Sequence, residues 1–221
     1  MKKLILLTML VLMSLPAFSA TLTGVRYKET AAKINAAAAR MPSMTCDFTQ
    51  TKHLAMLREK MVSKGKMYYR KPDKLRWEYV SPYKYTFILN GAKVSVANTK
   101  RNNVIDTRNN KLFKEIARIM MSTVTGRALS DTGDFTITIN ETAPTWDVTL
   151  VPKRKNIKQM FSKIILKVRR TDCQVQQIEL YEKNGDRTEI KLQNIKTPSP
   201  VNDALFSNIV LNVLGKNKNR K

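Results

Sequence analysis

The chain has 221 residues, with 40 Lys and Arg against 17 Asp and Glu, a formal net charge of +23, one His, two Cys and seven Gly. That length fits a single domain, and so large an excess of cations attracts anions: acidic proteins, anionic lipid head groups or nucleic acid. One His leaves no second imidazole for a metal site, and the few glycines form neither a phosphate-binding loop nor a dinucleotide fingerprint.

The first elements set the compartment. Met1-Lys2-Lys3, the apolar run Leu4–Leu15 and the small residues of Pro16-Ala17-Phe18-Ser19-Ala20 have the form of a secretory signal peptide. The run is shorter than the roughly 20 residues needed to cross a bilayer. Cleavage after Ser19 places Ala17 third before the cut, and no Cys follows to carry a lipid anchor. The reading is a signal peptide over 1–19 and one exported domain over 20–221. Outside the cytosol nucleic acid is the least available anion, and the bases are scattered along strands, so no nucleic-acid partner is expected.

Tyr27, Ala31, Ile34, Ala38 and Met41 repeat at helical spacing and predict a helix over Arg26–Met41, ended by Pro42. Met44–Thr51 alternates as a strand, with Met44, Cys46, Phe48 and Gln50 on one side. His53–Glu59 reads as a connection and Met61–Lys71 as the next strand. Met67, Tyr69 and Lys71 share a face of it. After the Lys71-Pro72-Asp73 turn, Leu75, Trp77 and Tyr79 share a face, with Lys74, Arg76 and Glu78 opposite. Ser81-Pro82 marks a break and Asn90-Gly91 a hairpin turn. Between them Phe87–Leu89 is a continuous apolar run whose facing alternation alone leaves open.

Lys93–Ala97 and Asn103–Thr107 continue the strands. The period then changes: Lys111–Thr125 places Leu112, Phe113, Ile116, Ile119, Met120 and Val124 on one helical face, with Gly126 as a stop. Strands resume at Phe135–Ile139, Trp146–Val151, Ile164–Val168, Val175–Tyr181 and Thr188–Asn194. Lys153–Gln159 reads as a basic loop, Asn184-Gly185 as a hairpin turn and Val201–Val210 as a short apolar tail. The sum is mainly β: some ten or eleven antiparallel strands, an N-terminal helix and a helical insertion.

Catalytic chemistry is sparse. His53 stands alone among bases. Glu179 and Glu189 could be paired for glycoside chemistry, but both sit on alternating strands where a solvent-facing salt pair is the plainer role. No enzyme activity, metal or cofactor is expected. Cys46 and Cys173 could form a disulfide in an oxidising space or remain two unlinked thiols. The mid-chain helix is the more telling feature. Phe113 and Ile116 suit a core helix or a lid, and Met120 and Met121 suit a mobile cover over an apolar cavity, since unbranched thioethers adapt to varied shapes. Met67, Tyr69, Leu75, Trp77, Tyr79, Phe87 and Leu89 would line that cavity, which suits an acyl chain.

Several segments resemble one known family. Cys46-Asp47-Phe48-Thr49-Gln50 is similar to its F-x-Q strand. Lys64–Tyr79, with Gly65, Pro72 and Trp77, is similar to its central G-x-x-x-x-x-R-P-x-x-x-x-W run. Asn90-Gly91 stands at its D-G turn, and Asp203-Ala204-Leu205-Phe206 at its C-terminal D-x-x-F segment. The chain thus resembles the periplasmic outer-membrane lipoprotein carriers, the LolA family, over nearly all its mature length. The resemblance implies an unclosed antiparallel β-barrel of about eleven strands with a helical lid, working as a periplasmic monomer. It implies acylated lipoproteins as cargo, an inner-membrane lipoprotein-releasing ABC transporter as donor, and an outer-membrane receptor as acceptor. A same-fold carrier of another lipid or glycolipid, or a lipid-responsive sensor, are the alternatives. Where the family has a lid-holding Arg before Pro, this chain has Lys71, which lacks the planar fork for bidentate bonding.

Overall fold

In the computed structural model the described residues are 19–207, apart from 58, 99–101, 107–110, 131 and 132. The signal peptide before Ser19 and the tail after Ser207 lie outside the described residues, as does Thr107. The elements are β1 (Ala20–Thr21), α1 (Gly24–Arg40), β2 (Ser43–His53), β3 (Lys60–Arg70), β4 (Lys74–Ser81), β5 (Tyr85–Asn90), β6 (Lys93–Asn98) and β7 (Asn102–Asp106). After them come α2 (Lys111–Thr125), β8 (Phe135–Glu141), β9 (Thr145–Pro152), α3 (Lys155–Met160), β10 (Phe161–Arg169), β11 (Val175–Glu182) and β12 (Arg187–Lys196). Single 3₁₀ turns cover Arg127–Ser130 and Asp203–Phe206.

The strands form one antiparallel sheet in the order β1-β8-β9-β10-β11-β12-β2-β3-β4-β5-β6-β7. β1 and β7 are its two free ends, so the sheet curls without closing, as the resemblance implied. The strand beyond the expected eleven is β1, two residues with no alternation to betray them. The last long strand returns beside the first: Leu192 of β12 faces Phe48 of β2. That return puts both halves of the chain into one core. Met44, Phe48, Met67 and Leu75 from one half and Ile139, Leu150, Ile164 and Val168 from the other are each at most 1% exposed in a single cluster.

Register settles Phe87–Leu89. Phe87 stands opposite Trp77 and Leu89 opposite Leu75, and directly opposed residues share a face. Phe87 and Leu89 therefore point inward. Ile88 points outward and is still 1% exposed, because the C-terminal 3₁₀ turn with its buried Phe206 packs over β4 and β5. Asp203 anchors that turn to Lys74 at 2.7 Å and Arg70 at 2.9 Å. The Asn202 side chain accepts a hydrogen bond from the Ala204 N–H.

Three sequence expectations need correction. Lys153–Gln159 is not a loop through its length: Lys155–Met160 is α3, and β10 begins directly after it at Phe161. Ile157, fully buried, anchors that helix, and its one-turn pairing with Met160 is hidden among four cations. His53 is not in a connection but closes β2, paired to Arg187 of β12. The turn expected at Asn90-Gly91 lies one residue later, at Gly91-Ala92, since Asn90 still pairs with Lys93. Gly91 supplies its positive φ of 60°.

Candidate functional site

The inward face changes character along each strand. On β4, Leu75 is 0% exposed, Trp77 2%, and Tyr79 only half-buried. On β3, Tyr69 and Met67 are sealed while Met61, at the other end, is 57% exposed. α1 and the Arg127–Ser130 turn close the end that holds the Lys71 turn. There a Cβ on Gly126, which follows α2 with a φ of 76°, would come within van der Waals reach of Ile34 of α1 and Val175 of β11. At the opposite end α2 roofs a cavity of about 240 Å³. Its floor is Gln50, Trp77, Tyr79, Ile178 and Ile190, its side wall Met160, Phe161 and Leu180, and its roof Ile119, Met120, Thr123 and Val124.

The cavity is apolar by construction. Thr123 turns its hydroxyl back to donate to the Ile119 carbonyl at 2.7 Å, which spends the polar group on the helix itself. Phe48 stacks on Trp77 at 4.2 Å between centroids and meets Tyr79 edge-on at 5.2 Å. Gly65 makes this cluster possible. A Cβ there would clash with the edge of the Phe48 ring and with the Glu78 carbonyl, so only glycine leaves room for the ring.

One polar strip remains in the floor. The Tyr79 hydroxyl donates to Gln50 Oε1 at 2.9 Å. The Trp77 indole N–H favours the Tyr79 phenolate, yet completes no hydrogen bond among the described residues. Burial outweighs both contacts and pushes the Tyr79 pKa up, so its hydroxyl stays protonated. The Tyr69 hydroxyl is likewise buried without a hydrogen-bond partner among the described residues; burial raises its pKa, against a smaller opposing pull from Arg127.

Of the residues singled out from sequence, Trp77, Tyr79 and Met120 line this cavity. Met67, Tyr69, Leu75, Phe87 and Leu89 share the same inward face but are packed within the core beside it, outside the lining. Met121 packs against the core rather than into the cavity. α2 spans Phe113 and Ile116, whose side chains lie outside the described residues. Lys71 reaches α1: its Nζ donates to the Ala39 carbonyl at 2.8 Å in the last turn of that helix. A cation suits that helix end, where the carbonyl dipoles converge. Cys46 and Cys173 are both free. Burial, with Asp47 adding to it, pushes the Cys46 thiol up to about 12.

Sequence reading passes over Ile178, Leu180 and Ile190 as site residues. Their alternation on β11 and β12 carries the signal, but not that these strands curl round to face β4. Among the described residues no cluster of His, Cys, Asp or Glu could hold a metal, and no helix is long and apolar enough to cross a membrane.

A family model described as outer membrane lipoprotein carrier protein LolA matches residues 39–208. No curated protein matches the chain. Among solved structures, an uncharacterized conserved protein from Thermus thermophilus is 8% identical, with a TM-score of 0.50 over 81% of this chain and 92% of that one. The MucA/MucB complex of Pseudomonas aeruginosa gives 12% identity and a TM-score of 0.49, over 80% of this chain and 60% of that one. A LolA superfamily protein from Nitrosomonas europaea gives 10% and 0.44, over 80% and 97%. At such identities the likeness concerns the fold alone.

Proposed function

Because the chain belongs to the LolA family of outer membrane lipoprotein carriers, we propose that it shields the acyl chains of lipoproteins beneath α2 and carries them across the periplasm. The observation that carries this reading is the cavity itself: aromatic and aliphatic floor, Met-bearing helical roof, and polar groups confined to the Gln50–Tyr79 strip. Each acyl CH₂ taken out of water is worth about 0.8 kcal/mol, so a lipoprotein needs such a cover to cross an aqueous space. The protein performs no reaction on its cargo.

Loading requires movement. The cavity's roughly 240 Å³ falls below the ~300 Å³ at which pockets for drug-sized ligands begin. An acyl chain therefore enters as α2 lifts from the floor. Met120 makes that motion cheap, since an unbranched side chain repacks against either a ligand or the bare floor. The roof is thus a lid, with Met120 at the cavity and Phe113, Ile116 and Met121 elsewhere on the same helix. Leu75, Met67, Tyr69, Phe87 and Leu89, packed beside the hollow, hold its floor in place as the lid rises. Lys71 holds α1 across the sealed end. The donor is an inner-membrane lipoprotein-releasing ABC transporter and the acceptor an outer-membrane receptor.

Incubation of the purified mature protein with spheroplasts tests this reading. A soluble one-to-one complex with acylated lipoprotein, seen by native mass spectrometry, is the expected result. A released complex carrying only glycolipid would replace lipoproteins as the cargo, and no lipid species of any kind would end the carrier reading.

A further inference from the structure

Nine large apolar residues are exposed among the described ones, and seven of them fall between positions 56 and 85. Their exposure is high: Met56 96%, Tyr83 80%, Met61 57% and Leu57 54%, with Val62, Val80 and Tyr85 less so. Register brings them to one end of the sheet. Met61 pairs with Lys52 and Val62 with Thr51 near the tip of the β2–β3 hairpin. Lys64 pairs with Ser81, and Tyr79 with Tyr85, so the β4–β5 loop carrying Tyr83 rises beside that hairpin. The hairpin runs on past the last β4 partner and forms a lip. This is the end where the cavity lies: Tyr85 of the lip meets Tyr79 of the floor with ring centroids 6.0 Å apart.

The lip is braced. The Ala55 N–H donates to Asp186 Oδ1 at 2.9 Å, and the Leu57 N–H closes a turn on the Leu54 carbonyl. Lys52 spans Glu182 and Asp186 at 3.2 and 3.4 Å. Those contacts, the Ala55 N–H foremost, hold the Asp186 carboxyl below its ordinary pKa. A fixed apolar edge held in water calls for something to cover it. Among the described residues, the exposed cations Lys60, Lys64 and Lys84 flank it, against the one exposed acid Glu59. An apolar edge rimmed by lysines, with a Tyr at its tip, matches the chemistry of an anionic membrane interface: greasy groups enter the headgroup region and ammonium groups meet phosphates.

We propose that this lip docks the protein on a bilayer surface bearing anionic phospholipid, with Met56, Leu57 and Tyr83 entering the headgroup layer. Docking there sets the mouth of the cavity against the lipid, where an acyl chain could pass between them. The purpose rests on the carrier reading, but the docking itself needs no cargo and is measured without any.

The test is flotation of the cargo-free mature protein with vesicles of phosphatidylethanolamine and phosphatidylglycerol, beside vesicles of phosphatidylcholine alone. The protein should float with the anionic vesicles and far less with the neutral ones. The neutral triple variant Met56→Ser, Leu57→Ser, Tyr83→Ser should lower the bound fraction about tenfold while keeping the net charge. These positions are exposed, so an unchanged melting temperature verifies the fold. Variant binding equal to the parent's would show that bulk positive charge alone holds the protein to lipid, and would overturn the proposal. So would an absence of vesicle binding, including the case where the variant instead loses affinity for a protein acceptor. Vesicle binding without lipid cargo in the spheroplast experiment would retain the lip and remove the carrier.

Discussion

The two ends of the curled sheet use the same residue code and reach opposite outcomes. At the Lys71 end, inward side chains meet α1 and the Arg127–Ser130 turn and are sealed: Tyr69 and Leu75 are at most 1% exposed. At the Tyr79 end, the same alternation on the same strands borders a hollow under α2 and then runs out into water at Met61. Each end even holds one of the two tryptophans. Trp77 lies in the cavity floor. Trp146 lies at the sealed end, with Lys33 and Arg170 each 5.9 Å from its ring. An inward-facing aromatic is therefore core or ligand surface according to what the helices do above it, not according to the strand that bears it.

Substitutions that separate the ends sharpen this. Leu75→Ala in the sealed half should cost about 3 kcal/mol in urea unfolding and leave acyl-probe affinity in the folded protein near the parent's. Gly65→Ala should cost about 2 kcal/mol by overpacking and also weaken acyl-probe binding, because it displaces Phe48 from beneath Trp77. Met120→Ala should lose only about 1 kcal/mol, as the side chain already borders a hollow, yet change acyl-probe affinity more than Leu75→Ala does. If Leu75→Ala and Met120→Ala move affinity equally, the division between ends fails. Lys71→Ala, deleting one exposed hydrogen bond to the end of α1, should cost about 0.5 kcal/mol, read as a small drop in melting temperature. The smallest effect is on the thiols. With its pKa near 12, Cys46 should resist iodoacetamide at pH 8 in the folded protein while half-buried Cys173 is labelled; denaturation should open both.

Much of this is legible in the chain. Alternation locates β2, β3 and β4 with their faces, and the change of period locates α2 to the residue. What alternation cannot carry is depth. Met67 and Trp77 belong to one pattern, but only the position of α2 separates the packed residue from the cavity wall. α3 escapes sequence reading because one buried Ile among cations gives no repeat to read. Ile88 shows a further limit: its burial comes from a 3₁₀ turn more than 100 residues away in sequence. The resemblance puts Lys71 at the lid-holding position, and no pattern in the sequence shows that its ammonium reaches the last turn of α1.

The most direct test of the cavity uses the two tryptophans. In Trp146→Phe, where Trp77 is the remaining indole, titration with a brominated fatty acid should quench the fluorescence strongly, because the chain lies against the cavity floor. In Trp77→Phe, where Trp146 remains at the sealed end, the same titration should leave the emission nearly unchanged. Strong quenching of Trp146 with Trp77 spared would contradict the account, for the acyl chain would then lie at the end described here as closed.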